Sequence, residues 1–175
     1  MAHWLQRIGR QLRHRWLERD TRHAFPAAAR ERISQAIAAS ERQHTGQICI
    51  YIESALPWSY IRRDAPVRER ALMTFSKQRV WDTEHNNGVL VYLLLTEHAI
   101  EIVADRAAAR HIETAQWQSI IDGVRSELGA NRFEQAVHQA IAQITPLLVQ
   151  KFPRPPADGN SDNDNELPDI PIVRS

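Results

Sequence analysis

The fold is decided by residues 86–104, which read NNGVLVYLLLTEHAIEIVA. Val89 to Leu95 is apolar at every position, so both of its faces need cover, as in a strand at the middle of a covered sheet. Residues 96–98 are polar and form a turn, and Ile100 to Ala104 returns as the partner strand of a hairpin. This stretch therefore predicts two neighbouring antiparallel strands.

A further strand is predicted before this hairpin. Residues 47–54 alternate isoleucine with other residues, a period of two that is typical of a strand. A helix lies between it and the second strand: it starts at Asp64-Ala65-Pro66 and has a predicted buried stripe of Val67, Ala71, Leu72 and Phe75. Because this crossover contains a helix, the first two strands are expected to be parallel, which gives a mixed sheet.

Three more helices are indicated by apolar residues at helical spacing. The first runs from Pro26 to His44, the second carries Trp117 to Leu128 on one face, and the third starts near Phe133 and passes through Pro146. Strands and helices together predict an α/β domain over residues 26–153.

Charge is distributed unevenly along a chain of 175 residues whose formal net charge is +1. Residues 1–25 carry six arginines against two acids, residues 26–153 are balanced, and residues 154–175 carry two arginines against five acids. The last segment is also rich in proline and poor in apolar residues, so we predict that it is a disordered acidic tail.

The N-terminal segment, residues 1–25, is basic and amphipathic. Its apolar residues recur every four positions with arginines between them: Trp4, Ile8, Leu12 and Trp16, with Arg7, Arg10 and Arg13. Such a segment is typical of a helix that lies on an anionic inner membrane surface or binds a protein partner. The alternative is that it packs back on the domain as an added core helix. Nucleic acid is not expected as a partner, because the domain itself is neutral.

Composition excludes several function classes. The six glycines are too scattered for a phosphate-binding loop, a dinucleotide fingerprint or the serine elbow of the α/β hydrolases. The single cysteine, Cys49, leaves no disulfide framework and no cysteine-based zinc site. The longest apolar stretch is far below the roughly 20 residues of a membrane span, and the basic start has no apolar signal-peptide segment. We therefore expect a cytoplasmic protein, peripheral on the inner membrane if its basic segment binds there.

Three short strings, in this order and spacing, resemble a known family. They are Thr45-Gly46-Gln47-Ile48 at the first strand, Asn86-Asn87-Gly88-Val89-Leu90 at the second, and the isoleucine-rich third strand followed by a polar turn at Asp105. Together with the following helices they look like the TPM domain, a small α/β module of thylakoid lumen proteins and many bacterial proteins. The resemblance covers residues 26–153 and implies a three-layer α/β/α sandwich, with a small mixed sheet between helices on both faces.

The resemblance also carries expectations about activity. A few family members are described as weak acid phosphatases or divalent-cation binders, and most have no established activity. Members commonly follow the third strand with a turn of the form Gly-Tyr-Gly-x-Glu, whose acid is a plausible metal ligand. Here the turn reads Asp105-Arg106-Ala107-Ala108-Ala109-Arg110, so both glycines and the acid are absent. This departure weakens the metal and phosphatase interpretation, and only Asp105 remains as a candidate ligand for Ca²⁺ or Mg²⁺.

Polar residues are expected to gather at one edge of the predicted sheet, because the second strand starts where its antiparallel partner ends. The candidate binding residues are Thr45, Asp82, His85, Asn86 and Asn87, and the catalytic candidates are Asp105 and Arg106. Arg106 suits phosphate or carboxylate. The alternative is purely structural: Asn87-Gly88 makes a turn, and the Asp105 side chain caps the segment that follows.

These observations favour a non-catalytic binding or adaptor module that needs no cofactor. The alternative is a weak metal-dependent acid phosphatase that acts on a small phosphorylated ligand, with Asp105 as its candidate metal ligand.

Overall fold

The structure is a computed structural model that describes residues 21–155 and 165–174. Within these residues a four-stranded mixed sheet has the strand order β3-β2-β1-β4. The helices are α1 (Thr21–Ala24), α2 (Ala27–Glu41), α3 (Trp58–Arg62), α4 (Val67–Lys77), α5 (Arg106–His111), α6 (Thr114–Gly129) and α7 (Phe133–Lys151). The strands are β1 (Gln47–Glu53), β2 (Gly88–Leu94), β3 (Ala99–Ala104) and β4 (Ile172–Arg174).

The three predicted strands pair as expected. β1 and β2 are parallel, with Gln47 opposite Gly88, and β2 and β3 form an antiparallel hairpin, with Val89 opposite Ala104. Every residue of β1 and β2 is buried. The continuous apolar run of β2 thus reflects a strand that is covered on both faces.

Helices cover both faces of the sheet, which confirms the three-layer α/β/α architecture. On one face, α2, α6 and α7 pack over the odd-numbered side chains of β2, such as Val89 and Val91, and form what we call the first core. On the other face, α3 and α4 pack over the even-numbered ones, such as Leu90 and Tyr92, and form the second core. The period-two alternation of a strand is the reason that neighbouring residues serve different cores.

The buried stripe of α4 differs from the prediction. Leu72 is 46% exposed, whereas Arg70 and Thr74 are buried beside Ala71. Arg70 turns inward because it pairs with Glu53, a carboxylate in the sheet. A side-chain pattern that counts arginine as polar cannot anticipate this rotation of the helix.

The predicted disorder of residues 154–175 is wrong for residues 165–174. Ile172–Arg174 forms β4, which pairs in parallel with Tyr51–Glu53 of β1, and Leu167 is buried in the second core. The physical reason is that the outer edge of β1 offers backbone hydrogen bonds, and the few apolar residues of the tail meet both cores there. Residues 156–164 and 175 lie outside the described part of the chain.

No helix among the described residues combines the length and the apolar composition that a membrane span requires.

Candidate polar rim and buried polar clusters

Strand directions bring one set of polar residues together. Thr45 precedes β1, Asn86 and Asn87 precede β2, and Asp105 and Arg106 follow β3. Because β1 and β2 are parallel and β3 runs against them, these positions meet at the same end of the three strands. We call these five residues the polar rim.

Backbone hydrogen bonds fix the shape of the rim. The Asp105 amide donates to the Gly88 carbonyl at 2.8 Å, and the Ala107 amide donates to the Asn86 carbonyl at 2.9 Å. Asn86 has a φ of 51°, in the left-handed region that asparagine tolerates better than most residues. The asparagine pair and the aspartate–arginine pair are therefore held side by side, as the hairpin predicts.

The side chains of the rim largely bond to each other. The Asn87 Nδ2 group donates to Thr45 Oγ1 at 3.3 Å, and the Arg106 guanidinium donates to Asn86 Oδ1. Arg106 Nε also lies 3.9 Å from Asp105 Oδ1, while the arginine side chain is 70% exposed. Arg106 thus remains accessible, whereas Asn87 is fully buried.

Two oxygens of the rim are buried without a hydrogen-bond partner, Asn87 Oδ1 and Asp105 Oδ2. Asp105 is only 4% exposed. Its side chain makes no capping hydrogen bond to α5, although its position is that of an N-cap, so the proposed capping role is wrong. An unpartnered buried acceptor is costly, so these oxygens mark the place where a donor or a cation is most favoured.

Asp82 and His85 stand apart from these contacts. Both are exposed on the loop before β2, and neither takes part in the rim hydrogen bonds described above. Thr83 has a structural role there that no sequence pattern indicated: its Oγ1 accepts the Asn87 amide at 3.2 Å. Whether Asp82, His85 and the rim residues bind a ligand stays a prediction.

The rim falls short of a divalent-cation site. Its oxygen donors are of the type that Ca²⁺ and Mg²⁺ prefer, but Ca²⁺ takes about six to eight oxygens and the rim offers a single carboxylate. No group of three or more histidine, cysteine, aspartate or glutamate side chains in the described residues is placed to hold a metal. Ala109, where the family pattern has an acid, lies in α5 and adds no ligand.

A second polar cluster lies in the second core and was not anticipated. The Glu53 carboxylate accepts two hydrogen bonds from Arg70, at 2.8 and 2.7 Å, and one from the Tyr92 hydroxyl at 2.6 Å. The hydrogen bond to Glu53 raises the pKa of Arg70, and burial raises the pKa of Tyr92. In the sequence, none of these three residues differs from an ordinary surface or core residue. Only their hydrogen bonds in the folded chain identify the cluster.

A third polar cluster lies at the end of α2. The Glu41 carboxyl group accepts the Ile48 amide at 2.7 Å, and burial raises its pKa to about 8, with Asp169 adding to the rise. His44 Nδ1 donates to the Gly46 carbonyl at 3.0 Å, and burial lowers the pKa of this imidazole to about 4. Both groups are therefore neutral near pH 7.

The candidate partner-binding residues of the N-terminal segment are not among the described residues. Trp4, Ile8, Leu12 and Trp16, with Arg7, Arg10 and Arg13, all lie in residues 1–20, which the structure does not describe. Their binding to a membrane or a partner stays a prediction.

Comparison with known proteins gives one family and a similar fold. The TPM domain family model, named TPM phosphatase, matches residues 19–146. An NMR structure of the BA42 protein from the psychrophilic bacterium Bizionia argentinensis is similar in fold, with a TM-score of 0.72 and 21% sequence identity. The similarity covers 86% of this chain and 95% of the other. The comparison with curated proteins gave no match. Since the family match spans most of the chain, this protein belongs to the TPM domain family.

Proposed function

We propose that this chain is a non-catalytic binding module that acts by binding a protein partner. The observation that carries the proposal is the distribution of large exposed apolar side chains in the described residues. Four of them, Trp58, Leu72, Met73 and Trp81, lie on α3, on α4 or in the turn after α4, and the fifth is Ile170. We call the four the apolar layer.

Exposed side chains of this kind favour binding to another protein. Tryptophan and methionine are enriched at protein interfaces, and tryptophan is frequent among the residues that dominate binding energy. Trp58 is 62% exposed and Met73 is 53% exposed. The opposite layer, formed by α2, α6 and α7, carries no large apolar side chain exposed to this degree within the described residues.

The polar rim supports a structural use better than a catalytic one. Its amide and guanidinium groups are mostly bonded to one another, and its one carboxylate is buried. A group that attacks or protonates a substrate must reach it within hydrogen-bond distance, and the rim exposes mainly the Arg106 guanidinium.

Photo-crosslinking tests the proposed partner binding. We would place benzoylphenylalanine at Met73, in the apolar layer, or at Ser119, an exposed position on α6, and irradiate native cells that contain the full chain. We expect discrete cross-linked products from position 73 that are absent from position 119. Products of equal yield at both positions, or none at position 73, would overturn the proposal.

A metal-dependent acid phosphatase is the second candidate function. The name of the family and the two unpartnered oxygens, Asn87 Oδ1 and Asp105 Oδ2, favour it. The rim offers a single carboxylate, that of Asp105, which is an incomplete ligand set for a divalent metal. The test is to titrate Ca²⁺, Mg²⁺ and Zn²⁺ while following the amide resonances of residues 86–88 and 105, and to assay hydrolysis of p-nitrophenyl phosphate.

The phosphatase assay has a matched control in Asp105→Asn, which keeps the size of the side chain. The binding proposal expects unchanged amide resonances up to millimolar ion and the same background hydrolysis in both proteins. Metal-dependent hydrolysis that Asp105→Asn abolishes would establish the second candidate instead.

A further inference from the structure

The C-terminal segment, residues 165–174, contacts the domain as a bound peptide would. It lies beyond residue 146, where the family match ends, and it adds the last strand to one edge of the sheet. Only three of its residues form a strand, opposite Tyr51–Glu53. The rest of the segment is held by side chains, and its contacts with β1 and Ser54 fall into two groups.

The first group anchors the beginning of the segment. The side-chain oxygen of Gln47 accepts the backbone amides of both Glu166 and Leu167, at 3.2 and 3.3 Å. Gln47 is itself buried, with 1% of its surface exposed. The Leu167 side chain inserts into the second core and is 5% exposed. A buried side-chain amide that accepts two backbone hydrogen bonds beside one apolar pocket is a specific anchor for an extended chain.

The second group aligns the end of the segment along β1. Ile172 packs on the second core and Val173 on the first, because alternate residues of a strand face opposite sides. The Ser54 amide donates to the Arg174 carbonyl at 3.0 Å. The Arg174 guanidinium lies 3.8 Å from the Glu53 carboxylate. Charge complementarity therefore favours a basic residue at this position.

These contacts match the addition of a strand to a sheet edge, a common mode of peptide recognition. Main-chain hydrogen bonds supply affinity in that mode, and pockets for alternate side chains supply specificity. We propose that the β1 edge, with Gln47 and the Leu167 pocket, is a peptide-docking site that also accepts an extended segment of a protein partner. The matching segment has an aliphatic residue and, five residues later, two β-branched residues followed by arginine. This inference deepens the proposed function of a binding module.

In this structure the chain's own segment fills the site. A tethered segment competes at an effective concentration in about the millimolar range, so a peptide added to the natural chain meets a strong competitor. Residues 165–174 must therefore be displaced from the site before binding of an added peptide can be measured. Leu167→Ser removes their apolar anchor. In a parallel pair, every second residue of a strand forms backbone hydrogen bonds with its neighbour, and Arg174 forms one with Ser54. Ile172, two residues earlier, therefore has the same role, and Ile172→Pro removes its backbone N–H donor to β1. The site residues Gln47 and Glu53 stay intact.

The probe is a fluorescent synthetic peptide of residues 165–175, and the protein is the full chain with Leu167→Ser and Ile172→Pro. We expect saturable binding in fluorescence anisotropy, and binding to the natural chain that is weaker by about tenfold or more. A probe that itself carries the two substitutions is the matched control and is expected not to bind. Absence of binding to the folded double variant, or equal binding of both probes, would overturn the inference.

Hydrogen exchange in the natural chain keeps the inference testable if the double variant does not fold. The Ser54 amide donates to Arg174, and the Leu95 amide donates to the Glu53 carbonyl on the β2 side of the same strand, each at 3.0 Å. If residues 165–174 detach from β1 while the domain stays folded, the Ser54 amide should exchange about tenfold or more faster than the Leu95 amide. Equal rates would show an integral strand and overturn the inference. The outcome at Met73 in the cross-linking experiment does not depend on this edge, so the two proposals fail separately.

Discussion

Glu53 and Arg70 form a two-point ion pair inside the second core, with hydrogen bonds of 2.8 and 2.7 Å and at most 8% of either side chain exposed. The pair joins the end of β1 to the N-terminal half of α4. It fixes the rotation of α4, and with it the exposure of Leu72 and Met73 in the apolar layer. Glu53 also faces Arg174, so the same carboxylate contributes to the peptide-docking site.

Removal of one member of this pair should destabilise the domain. Arg70→Met leaves the Glu53 carboxylate buried without its cation, and the expected loss in the free energy of unfolding is about 3 kcal/mol or more. Urea denaturation measures the loss. The double variant Glu53→Gln/Arg70→Met removes the uncompensated charge and should recover part of it, as a double-mutant cycle would show. A decrease in the free energy of unfolding of Arg70→Met of only about 1 kcal/mol or less, as at an exposed ion pair, would contradict the prediction.

The Glu41 carboxyl predicts a dependence of stability on pH. Its pKa is about 8 in the folded chain because of burial, well above its ordinary value, so the folded state holds a proton that the unfolded state releases. This contribution is complete below the ordinary pKa of glutamate and is lost as the pH rises to about 8. The pKa of His44, lowered to about 4, acts in the opposite direction, with stability falling as the pH drops below about 6.5.

Between pH 6.5 and 8 the Glu41 contribution should therefore dominate over that of His44. We expect the free energy of unfolding of the natural chain to fall relative to Glu41→Gln by up to about 1.4 kcal/mol per pH unit. Glutamine stays neutral and can still accept the Ile48 amide, which makes it the matched variant. Parallel stability curves for the two proteins over this range would refute the assignment.

Gly88 is predicted to be intolerant of any side chain. A Cβ atom at this position would lie 2.1 Å from the Val80 carbonyl oxygen, a backbone atom that cannot move aside easily. Gly88→Ala should lower the free energy of unfolding by about 2 kcal/mol or more. Gly129→Ala is the control, because no atom lies within 4 Å of its added Cβ at the end of α6. Thermal denaturation should show a lower midpoint for Gly88→Ala alone.

The basic N-terminal segment predicts binding to anionic membranes as an activity separate from partner binding. Sedimentation with anionic vesicles should show association that deletion of residues 1–17 abolishes and that salt weakens. Each arginine near the surface contributes about 1 kcal/mol, so Arg7→Gln with Arg10→Gln and Arg13→Gln should reduce binding strongly. Sedimentation that is unchanged by the deletion would exclude the membrane interpretation.

The sequence carried enough information for the main elements of the sheet. The apolar run from Val89 to Leu95 indicated a strand covered on both faces, and the period of two in β1 together with the intervening helix predicted a parallel neighbour. The meeting of Asn86 with Arg106 followed from the same strand directions. Local periodicity was sufficient for these strands, because the apolar residues that it indicated are the residues that the sheet buries.

The sequence was less informative where a polar group is buried by a distant partner. The apolar spacing of α4 predicts Leu72 in the buried stripe, whereas Arg70 is buried because it pairs with the Glu53 carboxylate, 17 residues away in another element. The C-terminal segment was predicted to be disordered because its composition is acidic and poor in apolar residues. Its few apolar residues are nevertheless held at β1, since that strand has an edge to pair and pockets to fill.

The sequence by itself thus determined the mixed sheet and the gathering of polar residues at one rim, because these depend on local periodicity and on strand direction, and three short strings of residues indicated the family. Only the tertiary structure decided how α4 is rotated, which oxygens of the rim lack partners, and where residues 165–174 are bound. Those features arise from contacts between groups far apart in the chain, whose burial and pairing no local pattern records.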